Sequence, residues 1–144
     1  MKPREFIEQL DEARVTAAIA KAERQSSGEI RVYVTHHRIE DALARARRRF
    51  LKLNMDRTRH RNAVLLYFAP RSHQFAIIGD TGIHEKCGDD FWRSATAAMS
   101  AQFKEGRFTE AVESAIQQIG EVLARNFPRG PDDRNELPDS VARD

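Results

Sequence analysis

Acidic residues, a histidine and a thiol gather in one short part of this chain. Residues 61–90, RNAVLLYFAPRSHQFAIIGDTGIHEKCGDD, hold Asp80, His84, Glu85, Cys87, Asp89 and Asp90. A further carboxylate, Glu29, opens an earlier strand-like run and can be brought to the same place by the fold. Several hard oxygens from separate parts of a chain suit Ca²⁺ or Mg²⁺ better than a soft metal. The predicted metal residues are therefore Glu29, Asp80, Asp89 and Asp90. Each has a plainer role in view: Asp89 or Asp90 caps a helix starting near Phe91, Glu29 is a solvated strand start, and Asp-Thr-Gly is an ordinary turn sequence. His84-x-x-Cys87 has a spacing found in zinc sites, but no second ligand pair is visible. Nor can a histidine and an acid be named to activate Cys87 as a nucleophile.

The elements that must position these residues are readable. Phe6, Ile7 and Leu10 pin a short amino-terminal segment to the core. Asp11 caps a helix to about Ser26, with Val15, Ala18, Ile19 and Ala22 on one face and Ser26-Ser27-Gly28 as the stop. Residues 30–35, IRVYVT, alternate and are rich in β-branched and aromatic side chains, which predicts a strand starting at Glu29. Leu43, Ala46, Phe50 and Leu53 make the apolar stripe of a crossover helix. Residues 63–69, AVLLYFA, form the near-continuous apolar run of a strand covered on both faces. A turn at 70–73 then returns the chain through 74–79, QFAIIG, as an antiparallel partner. The first two strands run parallel. Glu29, Asn62, Gly79 and Asp80 therefore fall on one sheet edge, where Gly79 and Gly82 permit close backbone approach and Gly82 a positive φ. Helices follow over about 91–105 and 109–126, then an irregular tail from Pro128 that Leu137 and Val141 lay along the surface.

With 144 residues, 40% hydrophobic and 32% charged, the chain reads as one α/β domain over 1–127 with the tail at 128–144. The single cysteine excludes an internal disulfide. No window approaches the roughly 18 apolar residues of a spanning helix, and no signal-like start is present, so the expected location is cytoplasmic. The net charge of +2 does not imply nucleic acid. Between Arg45 and Arg61 there are eight Arg or Lys residues opposed only by Asp56. That run could follow the phosphates of an anionic polymer or membrane, but no exposed aromatics are interleaved and no recognition motif appears. A solvated basic helix face explains it with less.

The blocks Ser27-Gly28-Glu29-Ile30-Arg31-Val32, Arg61-Asn62-Ala63-Val64-Leu65-Leu66-Tyr67, Phe75 to Ile83, Gly88-Asp89-Asp90-Phe91-Trp92 and Asn135-Glu136-Leu137-Pro138-Asp139 occur in an order that resembles the short soluble branch of the TPM-domain family. The resemblance spans about Phe6 to Asp139. It implies a Rossmann-like α/β/α sandwich with a small mixed sheet flanked by about four helices. Thylakoid-lumen members of that family are associated with photosystem II repair and described as acid phosphatases, and some members bind divalent cations. Many bacterial members carry a signal peptide and membrane anchor, which this sequence does not show. Carried over position by position, the resemblance again marks Glu29, Asp80, Asp89 and Asp90, and implies a tail that folds back to add Glu136 or Asp139. The expected function is divalent-cation binding at the acidic edge, with phosphatase chemistry on a phosphorylated small molecule and Asp80 as the candidate base. The alternative is a non-enzymatic, metal-stabilised module for a protein partner.

Overall fold

The computed structural model of the chain describes residues 3–131 and 136–144. Asn135 lies outside the described residues, as does the side chain of Ile7. The elements run α1 (Pro3–Gln9), α2 (Glu12–Glu23), β1 (Glu29–Val34), α3 (Ala42–Lys52), β2 (Ala63–Ala69), β3 (Gln74–Gly79), α4 (Thr81–Lys104), α5 (Phe108–Asn126) and β4 (Ala142–Arg143). The sheet order is β3-β2-β1-β4. β1 is parallel to β2 and to β4, while β3 is antiparallel to β2. The fold is thus the mixed α/β sandwich expected.

Period-two alternation divides the side chains of β1 and β2 between the two faces. Ile30, Val32, Val34, Val64, Leu66 and Phe68 join the larger core with α1, α2, α4 and α5. Tyr33, Ala63, Leu65 and Tyr67 meet Ala42, Ala46 and Phe50 of α3 on the other. The predicted stripe of α3 is rotated in one respect: Ala42 is buried and Leu43 is 44% exposed. The Gln74 side chain fixes that start by accepting a hydrogen bond from the Ala42 N–H at 2.9 Å.

Two expectations are corrected. Residues 81–90 are helical rather than a loop, and Asp80 is the N-cap of α4, its side chain accepting from the Thr81 N–H. The helix that was expected to start near Phe91 is the second part of α4, beyond a break at Gly88, where φ is 73° and ψ 176°. The tail is not irregular throughout. Its last residues form β4, in register with Tyr33 and Val34, and Glu136 stands beside Glu29 at the other end of β1. Residues 136–144 therefore run the length of β1 along the edge that β2 leaves open.

Gly82 is needed for space and not for a positive φ. A Cβ there would meet the carbonyl oxygens of His60 and Arg61 at 2.3 and 2.6 Å. The close approach lets the Gly82 N–H donate to the Arg61 carbonyl at 2.8 Å, tying the start of α4 to the segment before β2.

Candidate functional site

The sheet edge at the start of β1 and β2 holds acids in two opposite conditions. Asp80 is satisfied. The Arg61 guanidinium donates to both of its oxygens, Nε at 2.7 Å and Nη2 at 2.8 Å, in the two-pronged geometry that makes arginine–carboxylate pairs strong. The same carboxylate accepts from the Thr81 N–H at 2.8 Å, and the Asp80 N–H continues the sheet by donating to the Ala63 carbonyl at 2.9 Å. Arg61 holds its position at a positive φ of 52°. Its own pKa is raised by the hydrogen bond to Asp80 and by that charge. All these contacts tie Asp80 to the scaffold.

Glu29 and Glu23 are in the contrary state. Glu29 is 1% and Glu23 5% exposed. One Glu29 oxygen accepts from the Glu136 N–H at 2.5 Å. One Glu23 oxygen accepts from the Ile30 N–H at 2.8 Å. The latter contact closes a gap in the sheet, because β4 reaches only Tyr33 and Val34 and the backbone of Ile30 needs another partner. The second oxygen of each, Glu23 Oε1 and Glu29 Oε2, is buried and receives no hydrogen bond from any described residue. Nearby, Asn62 donates its Nδ2 to Ser27 Oγ at 3.1 Å and leaves Oδ1 buried and unpartnered. Starved acceptors of this kind are rare in folded proteins and each calls for an explanation.

The electrostatics are equally lopsided. Burial, then the nearness of the Asp139 carboxyl, push the Glu23 carboxyl up to about 10, and Glu29 adds to the shift. The Glu29 carboxyl is also raised by burial, against the N–H donated by Glu136. Arg31, 8% exposed, interacts with Asp139 and Glu23 while burial lowers its own pKa. The Arg31 guanidinium thus faces Glu23 and Asp139, the Arg129 guanidinium donates to the Glu23 carbonyl at 2.8 Å, and Glu29 and Glu136 crowd the same place with further carboxyl groups. Contacts between carboxyl groups require a proton or a cation between the oxygens. Among the described residues, however, no three His, Cys, Asp or Glu side chains stand preassembled around one metal position.

The remaining predicted residues lie elsewhere. The side chain of Asp89 is 73% exposed and 3.5 Å from His84 Nε2; that of Asp90 is 99% exposed and 3.9 Å from Arg93. His84 Nδ1 accepts from Trp92 Nε1 at 3.1 Å, which assigns the ring proton to the nitrogen facing Asp89. His84 thereby bridges the two parts of α4 across Gly88. Cys87 is partly buried and free, and burial raises its pKa, away from the thiolate needed for metal or nucleophile. Glu23 was missed by sequence reasoning although a signal was present. It continues the buried face of Val15 and Ile19 at four-residue spacing, so a carboxylate sits on an apolar stripe.

Comparison with protein families matches residues 1–122 to the TPM domain. Among solved structures the chain is similar to the BA42 protein of the psychrophilic bacterium Bizionia argentinensis, determined by NMR. The two are 37% identical, with a TM-score of 0.86 over 94% of this chain and 96% of that one. No match was found among curated proteins. No helix among the described residues is long and apolar enough to cross a membrane.

Proposed function

The chain belongs to the TPM-domain family, and on that premise we propose that it binds a hard divalent cation, Ca²⁺ or Mg²⁺, where Glu23 and Glu29 lie beneath the tail. The observation that carries this reading is the pair of buried carboxylate oxygens, Glu23 Oε1 and Glu29 Oε2, that no donor among the described residues reaches. A proton satisfies them at a cost that grows with pH; a divalent cation satisfies them with its charge. The donor set fits: carboxylates from Glu23 and Glu29, an amide oxygen from Asn62, and Asp139 of the tail, all hard oxygens. Of the four residues predicted from sequence, Glu29 is the one this proposal keeps. Asp80 has both oxygens taken by Arg61, and Asp89 and Asp90 are exposed on α4.

The same geometry favours a binding module over a hydrolase. A phosphatase would need a base beside the metal-held water, and the Arg61 pair leaves Asp80 without a free oxygen for that task. A cation held by Glu23, Glu29 and Asp139 would instead fasten the tail along β1, fixing a surface that a protein partner could read.

Titration of the protein with Ca²⁺ and with Mg²⁺, followed residue by residue by NMR, tests the proposal. Saturable shifts centred on Glu23, Glu29, Asn62 and Asp139 are expected, and Glu29→Gln should abolish them. Absence of saturation up to about 10⁻³ M, the weak end of calcium modules, or shifts that survive Glu29→Gln, would remove the site.

A further inference from the structure

The opposite end of the sheet carries a cavity with the reverse chemistry. It lies at the carboxyl ends of the parallel strands β1 and β2, where open α/β sheets place ligands. Its volume is about 70 Å³, and α3 lines it with Arg45, Arg48, Arg49 and Lys52. Thr35, Tyr67 and the tail residue Asp144 complete the wall that matters here.

A carboxylate already occupies this place. Asp144 accepts a hydrogen bond from the Thr35 hydroxyl and another from the His36 N–H at 2.9 Å, with His37 Nε2 at 3.9 Å. Thr35 is 2% exposed and fixed in turn, since its Oγ1 accepts from the His37 N–H at 3.2 Å. Desolvation opposes the charge on Asp144, yet the Thr35 and His36 donors and the two histidines together hold its carboxyl below the ordinary value. The donors are therefore tuned to an oxyanion. They are also underused: Arg45, Arg48, Arg49 and Lys52 line a cavity whose one acidic side chain is Asp144. Beside it Arg49 lies 4.5 Å over the Tyr33 ring, and the Tyr33 hydroxyl is buried without a partner among the described residues. Tyr33 feels both Arg49 and Asp144.

We propose that this cavity is a binding site for a small dianionic oxyanion, with Asp144 as an intramolecular stand-in that the ligand displaces. The Thr35 hydroxyl and His36 N–H would pass from the carboxylate to the ligand, and Arg45, Arg48 and Arg49 would neutralise the second charge, which the Asp144 side chain lacks. The volume suits a small tetrahedral oxyanion or a short dicarboxylate and not a nucleotide. Recognition is of oxygens and charge, so inorganic phosphate and malonate should compete for the same residues.

The test is titration of the full chain with inorganic phosphate, and separately with malonate, at constant ionic strength, read by the amide signals of Thr35, His36, His37 and Asp144. Saturable shifts at these residues are expected in the unmodified chain. Asp144→Ala, which removes the competitor, should tighten binding about tenfold, the order of one charge-assisted hydrogen bond. Arg45→Gln with Arg48→Gln, both exposed on α3, should weaken it at least as much without loss of fold. Three results would overturn the assignment: no saturation with either anion, equal affinity in Asp144→Ala, or shifts spread along α3 that chloride removes as readily. Retention on phosphatidic acid vesicles without a response to soluble phosphate or malonate would place the anion on a lipid surface and overturn it as well.

Discussion

Asp80 and Glu29 stand on the same sheet edge, two strands apart, and share little else. Asp80 receives two bonds from Arg61 and one from the Thr81 N–H. Glu29 accepts from the backbone of the tail, keeps one oxygen without a donor among the described residues, and lies beside Glu23, which likewise keeps one. Residues of one chemical type are thus scaffold in one place and a strained, charge-deficient group in the other. The difference teaches that an acid's availability for a ligand is set by the donors around it and not by its presence at an edge. Substitutions should separate the two cases in sign as well as in size.

The largest effect on stability belongs to the satisfied acid. Asp80→Ala removes the cap of α4, which alone costs about 0.5–2 kcal/mol, and releases Arg61 as well. At the common scaling of about 2–4 °C per kcal/mol for a chain of this size, thermal unfolding should show a fall of several degrees. Cation binding should persist. If Asp80→Ala abolished binding while the fold remained, the division between the two acids would be broken.

Next comes the effect of pH on the starved acids. The Glu23 carboxyl is raised from an ordinary 4.5 to about 10, so the folded chain holds a proton that the unfolded chain releases. The corresponding stability is complete below about pH 4.5 and is lost as pH rises toward 10. Glu29 shifts in the same direction, while Arg31, Glu136 and Asp139 face the pair throughout. The melting temperature without divalent cations should therefore decline between pH 6 and pH 9. Glu23→Gln should flatten that decline and make the protein more stable than the unmodified chain at the alkaline end, since glutamine can still accept from the Ile30 N–H. A steeper decline in Glu23→Gln would contradict the charge assignment.

The smallest effect is expected at the exposed acids of α4. Asp89→Asn and Asp90→Asn should each change stability by no more than about 0.5 kcal/mol and leave cation binding unaltered. A larger loss from Asp89→Asn would mean that the His84 bridge across Gly88 carries more of the helix than its exposure indicates.

Much of this fold was legible in the sequence because its signals are local. Alternation in 30–35, the apolar run 63–69 and the short turn before 74–79 define three strands and place Glu29 and Asp80 on one edge, as found. The helical nature of 81–90 was obscured by Gly82 and Gly88. Asp-Thr-Gly reads equally as a turn or as a cap with the first residues of a helix, and only the carbonyls of His60 and Arg61 against Gly82 show which applies. The proposed site was half legible. The place of Glu29 on the sheet edge followed from topology, and Asp139 entered through the family blocks. The pairing of Asp80 with Arg61, nineteen residues earlier in the chain, and the turn of Glu23 toward the Ile30 N–H depend on side-chain placement that no spacing rule contains. The pairing of β4 with β1 was equally hidden, because a two-residue strand has no periodicity to read.

Calorimetric titration with Ca²⁺ near pH 7, repeated in two buffers of different ionisation enthalpy, tests the central claim most directly. If a cation takes the place of the proton held among Glu23, Glu29 and Asp139, binding should release about one proton, tighten as pH rises, and vanish with its proton release in Glu29→Gln. Binding that releases no proton, or that Glu29→Gln leaves intact, would contradict the account.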